Sequence, residues 1–441
     1  MAKKKQIELT IEEKLQNALV PKEEQPYKIP NNWCWTYVSN VMNIVMGQSP
    51  KGVDTTQNVS DIPLVGGASD MGDLYPRVNK YTKKATKLSK EDDVILSIRA
   101  TLGRPIFSDG VYCLGRGVAG ISSNYLSKEF IRYYYICFES SLYSNATGTT
   151  FLQVTGSVLN KMLIPLPPLN EQQRIVNRIE SLFAKLDRAK ELIENTLAQF
   201  EQNKMAILHK AFTGELTAKW RKENNIDLSS WEKIKLGKVL LPMQTKKPTG
   251  QFFRYIDIDA IDNKRQIVKA PKLILTEKAP SRASRGVETG NILFSMVRPY
   301  LKNIAQIDSD LSDCIASTGF YVCRCKPELN SRFLYYLFIF DKTIDYLMQF
   351  MKGDNSPSIR KDDLLNMKID LPTIEEQQEI VNILDKLLAK YNKIKNLEQQ
   401  LEKIELLKKA ILAKAFRGEL GTNNPDEESA ENLLKEILAE K

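Results

Sequence analysis

Glu171-Gln172-Gln173-Arg174-Ile175-Val176-Asn177 recurs as Glu376-Gln377-Gln378-Glu379-Ile380-Val381-Asn382, identical at six of seven positions. A second heptapeptide, Lys210-Ala211-Phe212-Thr213-Gly214-Glu215-Leu216, recurs as Lys414-Ala415-Phe416-Arg417-Gly418-Glu419-Leu420, again with six of seven identities. Agreement at that level is far beyond chance, so the chain is a tandem duplication. Between opening and closing blocks, apolar residues return at spacings of three and four. The first copy has Ile175, Ile179, Leu182, Leu186, Ala189, Ile193, Phe200 and Ile207; the second has Ile380, Leu384, Leu387, Tyr391, Ile394, Leu397, Leu401, Ile404 and Ile411. This is the seam of a long helix. About 40 residues at 1.5 Å each make a rod of roughly 60 Å. A rod with one apolar stripe needs a partner helix, and the obvious partner of each rod is the other; if they pack antiparallel, the two heads sit at opposite ends.

Each rod is preceded by a region of different character. Val94-Ile95-Leu96-Ser97-Ile98, bounded by Asp92-Asp93 and Gly103, reads as a buried strand. Asp92 to Ser97 aligns with Gly290 to Ser295 at an offset of 198. A late helix is expected from Ser127, with Phe130, Ile131, Tyr134, Tyr135 and Phe138 on one stripe. Its repeat runs from Asn330 to Met351. The two heads therefore share a mixed fold while most of their loop residues differ. The chain divides into an N-terminal helical extension (1–26), a first head (27–163), a first rod (164–225), a second head (226–370), a second rod (371–421) and a C-terminal linker with a short amphipathic helix (422–441). Thr10 with Glu13, Asn170 with Gln173, and Thr373 with Glu376 have capping-box spacing. Ser429 is placed to cap the last helix, whose apolar face is Leu433, Leu434, Ile437 and Leu438.

The 441 residues carry a net charge of +9, of which the heads hold +4 and +6. That excess is compatible with a nucleic-acid partner and weak evidence for one by itself. No apolar run reaches the ~18 residues of a membrane span. The basic start Met1-Ala2-Lys3-Lys4-Lys5 lacks the apolar stretch of a secretory signal, so the expected place is the cytoplasm, with no membrane partner. The six cysteines form no CxxC pair, and His209 is the one histidine. The cysteines read as reduced core thiols rather than zinc ligands, and His209 as structural.

Several catalytic patterns fall away. Gly115-Arg116-Gly117-Val118-Ala119-Gly120 matches GxGxxG, but no helix with a ribose-binding acid follows, so a turn between strands is the better reading. Leu166-Pro167-Pro168-Leu169 has the prolines of an amino-methyltransferase tetrapeptide and lacks the polar residue that would accept from the target amine. There is no GxxxxGK[ST] loop for ATP.

The stretch Ile164-Pro165-Leu166-Pro167-Pro168-Leu169-Asn170-Glu171-Gln172-Gln173-Arg174-Ile175, the closing Lys-Ala-Phe-x-Gly-Glu-Leu block and their second copies resemble the specificity subunit of type I restriction–modification enzymes. The resemblance covers nearly the whole chain. It implies an α+β architecture: two pseudo-repeated mixed α/β target-recognition domains joined by two long helices packed as an antiparallel coiled coil. It further implies that each head reads half of a gapped site in double-stranded DNA while the rods set the gap. Two modification (methyltransferase) subunits and restriction (translocase and nuclease) subunits would join the chain. On this reading the chain is not an enzyme and holds no cofactor or metal; S-adenosylmethionine, ATP and Mg belong to the partner subunits.

Loop residues able to meet phosphates or base edges are Gln48, Ser49, Lys51, Lys83, Lys84, Lys87, Arg99, Thr101 and Arg104 in the first head. In the second they are Lys246, Lys247, Arg254, Arg282, Arg285, Arg298, Tyr300 and Lys302. Arg99 and Arg298 follow equivalent strands at an offset of 199 and form the best-motivated pair. Partner subunits are expected on the outward rod faces, at Gln172, Gln173, Gln377 and Gln378 and at the block ends Phe212 and Phe416. The two phenylalanines are equally suited to packing between the rods. The competing readings are a coiled-coil scaffold that binds only proteins, and a methyltransferase acting alone.

Overall fold

The computed structural model describes residues 9–148, 152–389 and 394–441. Packing divides the chain into two compact units, residues 1–192 with 399–441, and residues 193–398. Each unit thus holds one head, part of the first rod and part of the second.

In the first unit, the head contains the sheet Asn43–Met46, Val118–Ser122, Val94–Ser97, Gly103–Phe107, antiparallel throughout. The strand expected from the apolar run is Val94–Ser97, and all of its residues are buried. A second sheet orders Thr55–Thr56, Tyr81–Thr82, Ile62–Val65 and Cys113–Leu114, with the last pair parallel. The expected helix is Lys128–Cys137, and the Ser127 side chain accepts the Phe130 N–H at its start. Phe130, Ile131, Tyr134 and Tyr135 are buried as their spacing predicts, and Phe138 is partly buried against the same core. At the base, Cys34–Tyr37 pairs antiparallel with Leu163–Leu166, so the chain enters and leaves the head at one place.

The second unit repeats this plan. One sheet orders Leu240–Leu241, Phe320–Cys325, Ile292–Ser295 and Ile304–Gln306; the other orders Lys272–Leu275, Phe252–Ile256, Ile315–Ser317 and Ala283–Gly286. Phe252–Ile256 and Ile315–Ser317 are the parallel pair. Helix Ser331–Ile339 is capped by Asn330, and Glu232–Lys235 pairs with Lys368–Leu371 at the base. The sequence offset of 198 between the heads therefore marks one shared sheet order, that of the sheets holding Val94–Ser97 and Ile292–Ser295, while the second sheets share a parallel pair with an antiparallel neighbour and differ in their fourth strand.

The first rod is the helix Leu169–Phe212. The second is described as Ile374–Ala389 and Ile394–Ala415. Tyr391 and the Ile394 side chain lie outside the described residues. Within the first unit the rods run antiparallel: Asp187 meets Lys408 at 2.5 Å while Lys190 meets Glu405 at 3.3 Å. Ile175, Ile179, Leu412 and Phe416 share one core there. Within the second unit, Leu208 and Ala211 share a core with Ile380, Val381 and Leu384.

Helix starts differ in detail from their spacing. Thr10 and Glu13 form the full capping box of helix Ile11–Ala18. The first rod starts two residues early, at Leu169, because the Pro168 carbonyl already accepts the Glu171 and Gln172 N–H groups. Asn170 is therefore inside the helix, and Gln173 bonds forward to Asn177 instead of back to a cap. Thr373 does accept the Glu376 N–H, at 3.4 Å, but the Glu376 carboxylate does not return the bond. It is committed elsewhere.

The segment after the second rod closes the first unit. Helix Ala430–Ala439 places Leu434, Ile437 and Leu438 in the core that holds Leu15 and Ala18. The Ala430 N–H donates to the Asn32 carbonyl at 2.9 Å. Arg174 makes a two-point contact with Glu427, both bonds at 2.7 Å. Among the described residues, no helix is long and apolar enough to cross a membrane.

Candidate nucleic-acid interface

What holds each head to its rod is a buried carboxylate from the opening block. Glu171 is fully buried and accepts from Trp33 Nε1 at 2.7 Å, Asn423 Nδ2 at 2.9 Å and Thr422 Oγ1 at 3.2 Å. Glu376 is likewise buried and accepts from Trp231 Nε1 at 2.9 Å, Thr217 Oγ1 at 2.6 Å and Arg221 Nη1. The two sites match part for part: a tryptophan opening the head, a glutamate opening one rod, and a segment following the other rod. A buried carboxylate is stable only when its lone pairs are met by donors, so these residues fix the angle at which each head leaves the helices. The repeat pointed to Glu171 and Glu376, and Trp33 and Trp231 share the heads' offset of 198. Sequence spacing marked Glu376 only as a capping partner of Thr373 and Glu171 not at all, because burial of a glutamate is invisible in a helical pattern.

In the first head the candidates gather around one turn. Gly47 lies so close to the backbone that an added Cβ would stand 2.1 Å from the Gly115 carbonyl oxygen. This fixes the following loop, in which Gln48 and Ser49 are exposed. Ser49 Oγ accepts the Arg116 N–H at 3.2 Å, and the Thr86 hydroxyl donates to the Gln48 carbonyl. Lys83, Lys84 and Lys87, all exposed, therefore flank this loop, together with the exposed Arg116, which sequence reasoning passed over. The GxGxxG match is the turn between Cys113–Leu114 and Val118–Ser122. A Cβ on Gly117 would stand 2.3 Å from the Gly66 carbonyl oxygen, so its glycine serves backbone packing. Ile98 N–H donates to the Gly117 carbonyl at 2.9 Å, which brings the loop carrying Arg99, Thr101 and Arg104 to the same turn.

That loop has an unusual backbone. Ala100 and Arg104 have φ of +60° and +51°, and Arg298 and Lys302 in the second head have φ of +48° and +49°. For residues other than glycine, each such position costs roughly 1–2 kcal/mol. The two loops also share their anchors. Ala100 N–H bonds the Leu152 carbonyl, and Arg298 N–H bonds the Pro357 carbonyl. Arg99 bridges Gln153, and Val297 bridges Ser358. The offset of 198 that aligns the strands therefore continues through the loop. Arg298 matches Ala100, and Arg99 matches Val297. The pairing of Arg99 with Arg298 at 199 is corrected by this geometry; the matched basic pair is Arg104 and Lys302.

Several candidates are committed within the fold. Lys302 caps the end of helix Ser331–Ile339, donating to the Ile339 carbonyl at 3.1 Å and to Asp341. Arg254 pairs with Asp313 at 2.8 Å and with the Asp310 carbonyl. Arg104 donates to the carbonyls of Ala68 at 3.4 Å and Met71 at 3.2 Å. These bonds leave the three side chains less free to contact a ligand. Lys246, Lys247 and Arg282 are exposed, as are Lys51, Arg99 and Thr101. The Lys246 N–H donates to the Ser284 carbonyl, placing that lysine beside half-buried Arg285. Tyr300 is 42% exposed, next to Arg298. Beside it opens a groove of about 570 Å³ whose lining includes Asp259, Asn263, Lys269, Arg298, Asn303 and Ser356.

The rod candidates divide sharply. Gln172, Gln377 and Phe416 are buried, which corrects their placement on an outward face. Gln172 and Gln377 donate to the carbonyls of Pro167 and Pro372, at 3.1 and 2.9 Å. Phe416 packs edge-on against Phe130, Tyr134 and Phe138. Half-buried Phe212 packs against Phe333 and Phe340. Both phenylalanines thus face a head core rather than the rod seam alone. Gln173 and Gln378 are exposed, each donating to the asparagine one turn on, Asn177 or Asn382. His209 lies edge-on to Phe340, with its Nε2 3.3 Å from Lys342 Nζ. Burial pushes the thiols of Cys34, Cys137 and Cys325 up to about 12, as suits unreactive core cysteines.

Two matched α/β heads, each clamped to paired helices and each edged with basic loops, define a two-headed recognition protein. The family described as type I restriction modification DNA specificity domain matches residues 30–199 and 231–406, one copy per head and adjoining rod. The chain belongs to this family: it is a specificity subunit of a type I restriction–modification system, a non-catalytic component whose catalytic activities lie on other subunits. The StySPI specificity subunit of Salmonella potsdam is 27% identical over 94% of this chain and 96% of its own length. The EcoKI specificity subunit of Escherichia coli K12 is 25% identical over 94% and 96%. The MjaX specificity subunit of Methanocaldococcus jannaschii, itself a putative assignment, is 30% identical over 45% of this chain and 47% of that protein. Among solved structures, a chain from work on assembly and conformational transition of the type I system superposes with a TM-score of 0.70, at 22% identity, over 89% of this chain and all of that one. The HsdS subunit of Thermoanaerobacter tengcongensis gives 0.52 at 22% identity over 90% and 99%.

Proposed function

We propose that this chain reads double-stranded DNA as two short half-sites separated by a fixed gap, one half-site per head, within a cytoplasmic complex. The observation that carries this reading is the duplicated head: one shared sheet order, one strained loop geometry, and different side chains at the matched loop positions. Exposed Lys83, Lys84, Lys87 and Arg116 in one head, and Lys246, Lys247, Arg282 and Arg298 in the other, supply phosphate and base contacts. Two modification subunits dock on the rods, one per repeat. In support, the Gln173–Asn177 and Gln378–Asn382 pairs are identical and exposed in both copies, although only Gln378 has a further partner inside the fold, accepting from Asn330 Nδ2 at 3.0 Å. Restriction subunits join this complex, and S-adenosylmethionine, ATP and Mg are held by the partners.

The test is selection of random duplex DNA by the chain assembled with its modification subunits, at moderate salt, followed by sequencing of what is retained. Two short motifs at one spacing are expected, and exchange of one head should alter one of them. A single contiguous motif refutes the two-head reading. No motif at all would leave a scaffold that binds only proteins.

A further inference from the structure

The loop Val297–Lys302 holds one arginine in a position its twin lacks. Arg298 is exposed and sits at φ +48°, where the first head has Ala100 at φ +60°. Its backbone is fixed on both sides: the N–H donates to the Pro357 carbonyl at 2.8 Å, and the carbonyl accepts from Leu301 at 2.9 Å. Its guanidinium is fixed at one corner, where Nη2 donates to the Asn355 carbonyl at 2.9 Å. One of five N–H donors is used in this way, and among the described residues no carboxylate pairs with it. A planar fork that is held, uncompensated and part of a groove's lining is prepared for a planar acceptor edge.

The groove's other lining says which acceptor. Asn263, Asn303 and Ser356 carry neutral groups that both donate and accept, Lys269 brings a cation, and Asp259, its side chain 88% exposed and 3.9 Å from Lys272, brings a carboxylate. Lys269 and Asp259 balance each other in charge, so beyond Arg298 the lining is mainly neutral donors and acceptors with one exposed carboxylate, rather than the row of cations that a DNA backbone calls for. It suits base edges: arginine donates to guanine O6 and N7, and aspartate accepts from the cytosine N4 amino group. Lys302, by contrast, is withdrawn into its pair with Asp341.

We propose that Arg298 is a base-reading residue of the second head and selects guanine at one position of that head's half-site. This rests on the reading of the chain as a two-headed DNA recognition subunit. The first head, with Ala100 at the matched position, reads its half-site without this contact.

The test is the same random-duplex selection by the assembled complex, run with the unsubstituted chain, Arg298→Lys and Arg298→Gly. Lysine keeps the charge and loses the fork. Glycine removes the side chain and accepts the positive φ, so the loop is not expected to collapse, and thermal melting checks this. The unsubstituted complex should select a guanine in one half-site. Both variants should relax that one position by about 5- to 150-fold, the discrimination a good bidentate contact supplies, with the other half-site unchanged. A motif identical in stringency for all three overturns the assignment. So does a uniform loss of affinity with the motif intact, which would mark a phosphate contact. If the unsubstituted complex selects no bipartite motif, the two-head reading fails and this assignment fails with it.

Discussion

Replacing Glu376 by glutamine leaves the volume of the site nearly unchanged and removes one charge. Three donors converge on its carboxylate, and one of them, the Arg221 guanidinium, is only 7% exposed as a residue. Arg221 also donates to the Gly214 carbonyl and to Thr217 Oγ1, so it cannot swing out to water without breaking the turn after the first rod. Removing one partner of a buried pair costs about 3–5 kcal/mol, because the other charge stays buried and uncompensated. Glu171→Gln lacks that penalty, since its donors are the neutral Trp33, Thr422 and Asn423. It should cost about 1–3 kcal/mol, the range for an imperfectly met buried polar group. Native-state hydrogen exchange reads the local opening of Trp231–Lys235 and of Cys34–Tyr37 separately, which matters because a chain of two units need not unfold in one step. Arg221→Met on the Glu376→Gln background should recover most of the loss, because the unpaired charge is then gone. Equal costs for the two glutamate variants, or no recovery in the double variant, would refute the charge argument.

Phe416→Ala should destabilise the first unit by about 3–5 kcal/mol, the cost of a fully buried phenylalanine, while Phe212→Ala, half-buried, costs less; chemical denaturation of the two variants ranks them. The bond from Arg174 holds the Glu427 carboxyl below its ordinary value. A depressed carboxylate contributes stability that is present above its unfolded pKa and lost as pH falls through the folded one. Protease sensitivity of residues 422–441 should therefore rise as pH drops from about 5 towards 3, and Arg174→Met should abolish that dependence. Cys34 and Cys323 are buried, with thiols pushed up by burial, and should resist iodoacetamide at neutral pH until denaturant is added. Lys246→Ala and Lys247→Ala should each lower the salt slope of DNA binding by about 1 without altering the selected sequence.

Much of this was legible in the residues. The repeated heptapeptides gave the duplication and the rods, because helical periodicity survives divergence. The strand Val94–Ser97 and helix Lys128–Cys137 were legible for the same reason: burial leaves an apolar pattern. The site was less legible. The identity of Gln172 and Gln377 looked like a partner surface, but the bonds to Pro167 and Pro372 give it a packing reason. Arg99 and Arg298 looked equivalent because both are arginines one residue apart in register, whereas backbone hydrogen bonds decide the register. Charge in a loop carries no mark of whether a carboxylate waits for it, so Arg254 and Lys302 could not be told from Arg298 until their partners were seen.

The unit formed by residues 193–398 is continuous in the chain, and the other is not. The first head's core needs Leu412, Phe416, Leu434 and Ile437, which follow it by hundreds of residues. During synthesis the second unit can complete its core soon after residue 398 emerges, while the earlier-made head waits for the segment 399–441. The order of manufacture and the order of folding are thereby reversed. The first head spends that interval without its closing helices, with the Asn32 carbonyl and Glu171 lacking their late-made partners. Contacts this distant in sequence are slow to form. A ribosome stalled once residue 398 has emerged, with residues 412–441 still in its exit tunnel, should therefore carry a protease-resistant second unit beside a protease-sensitive first one.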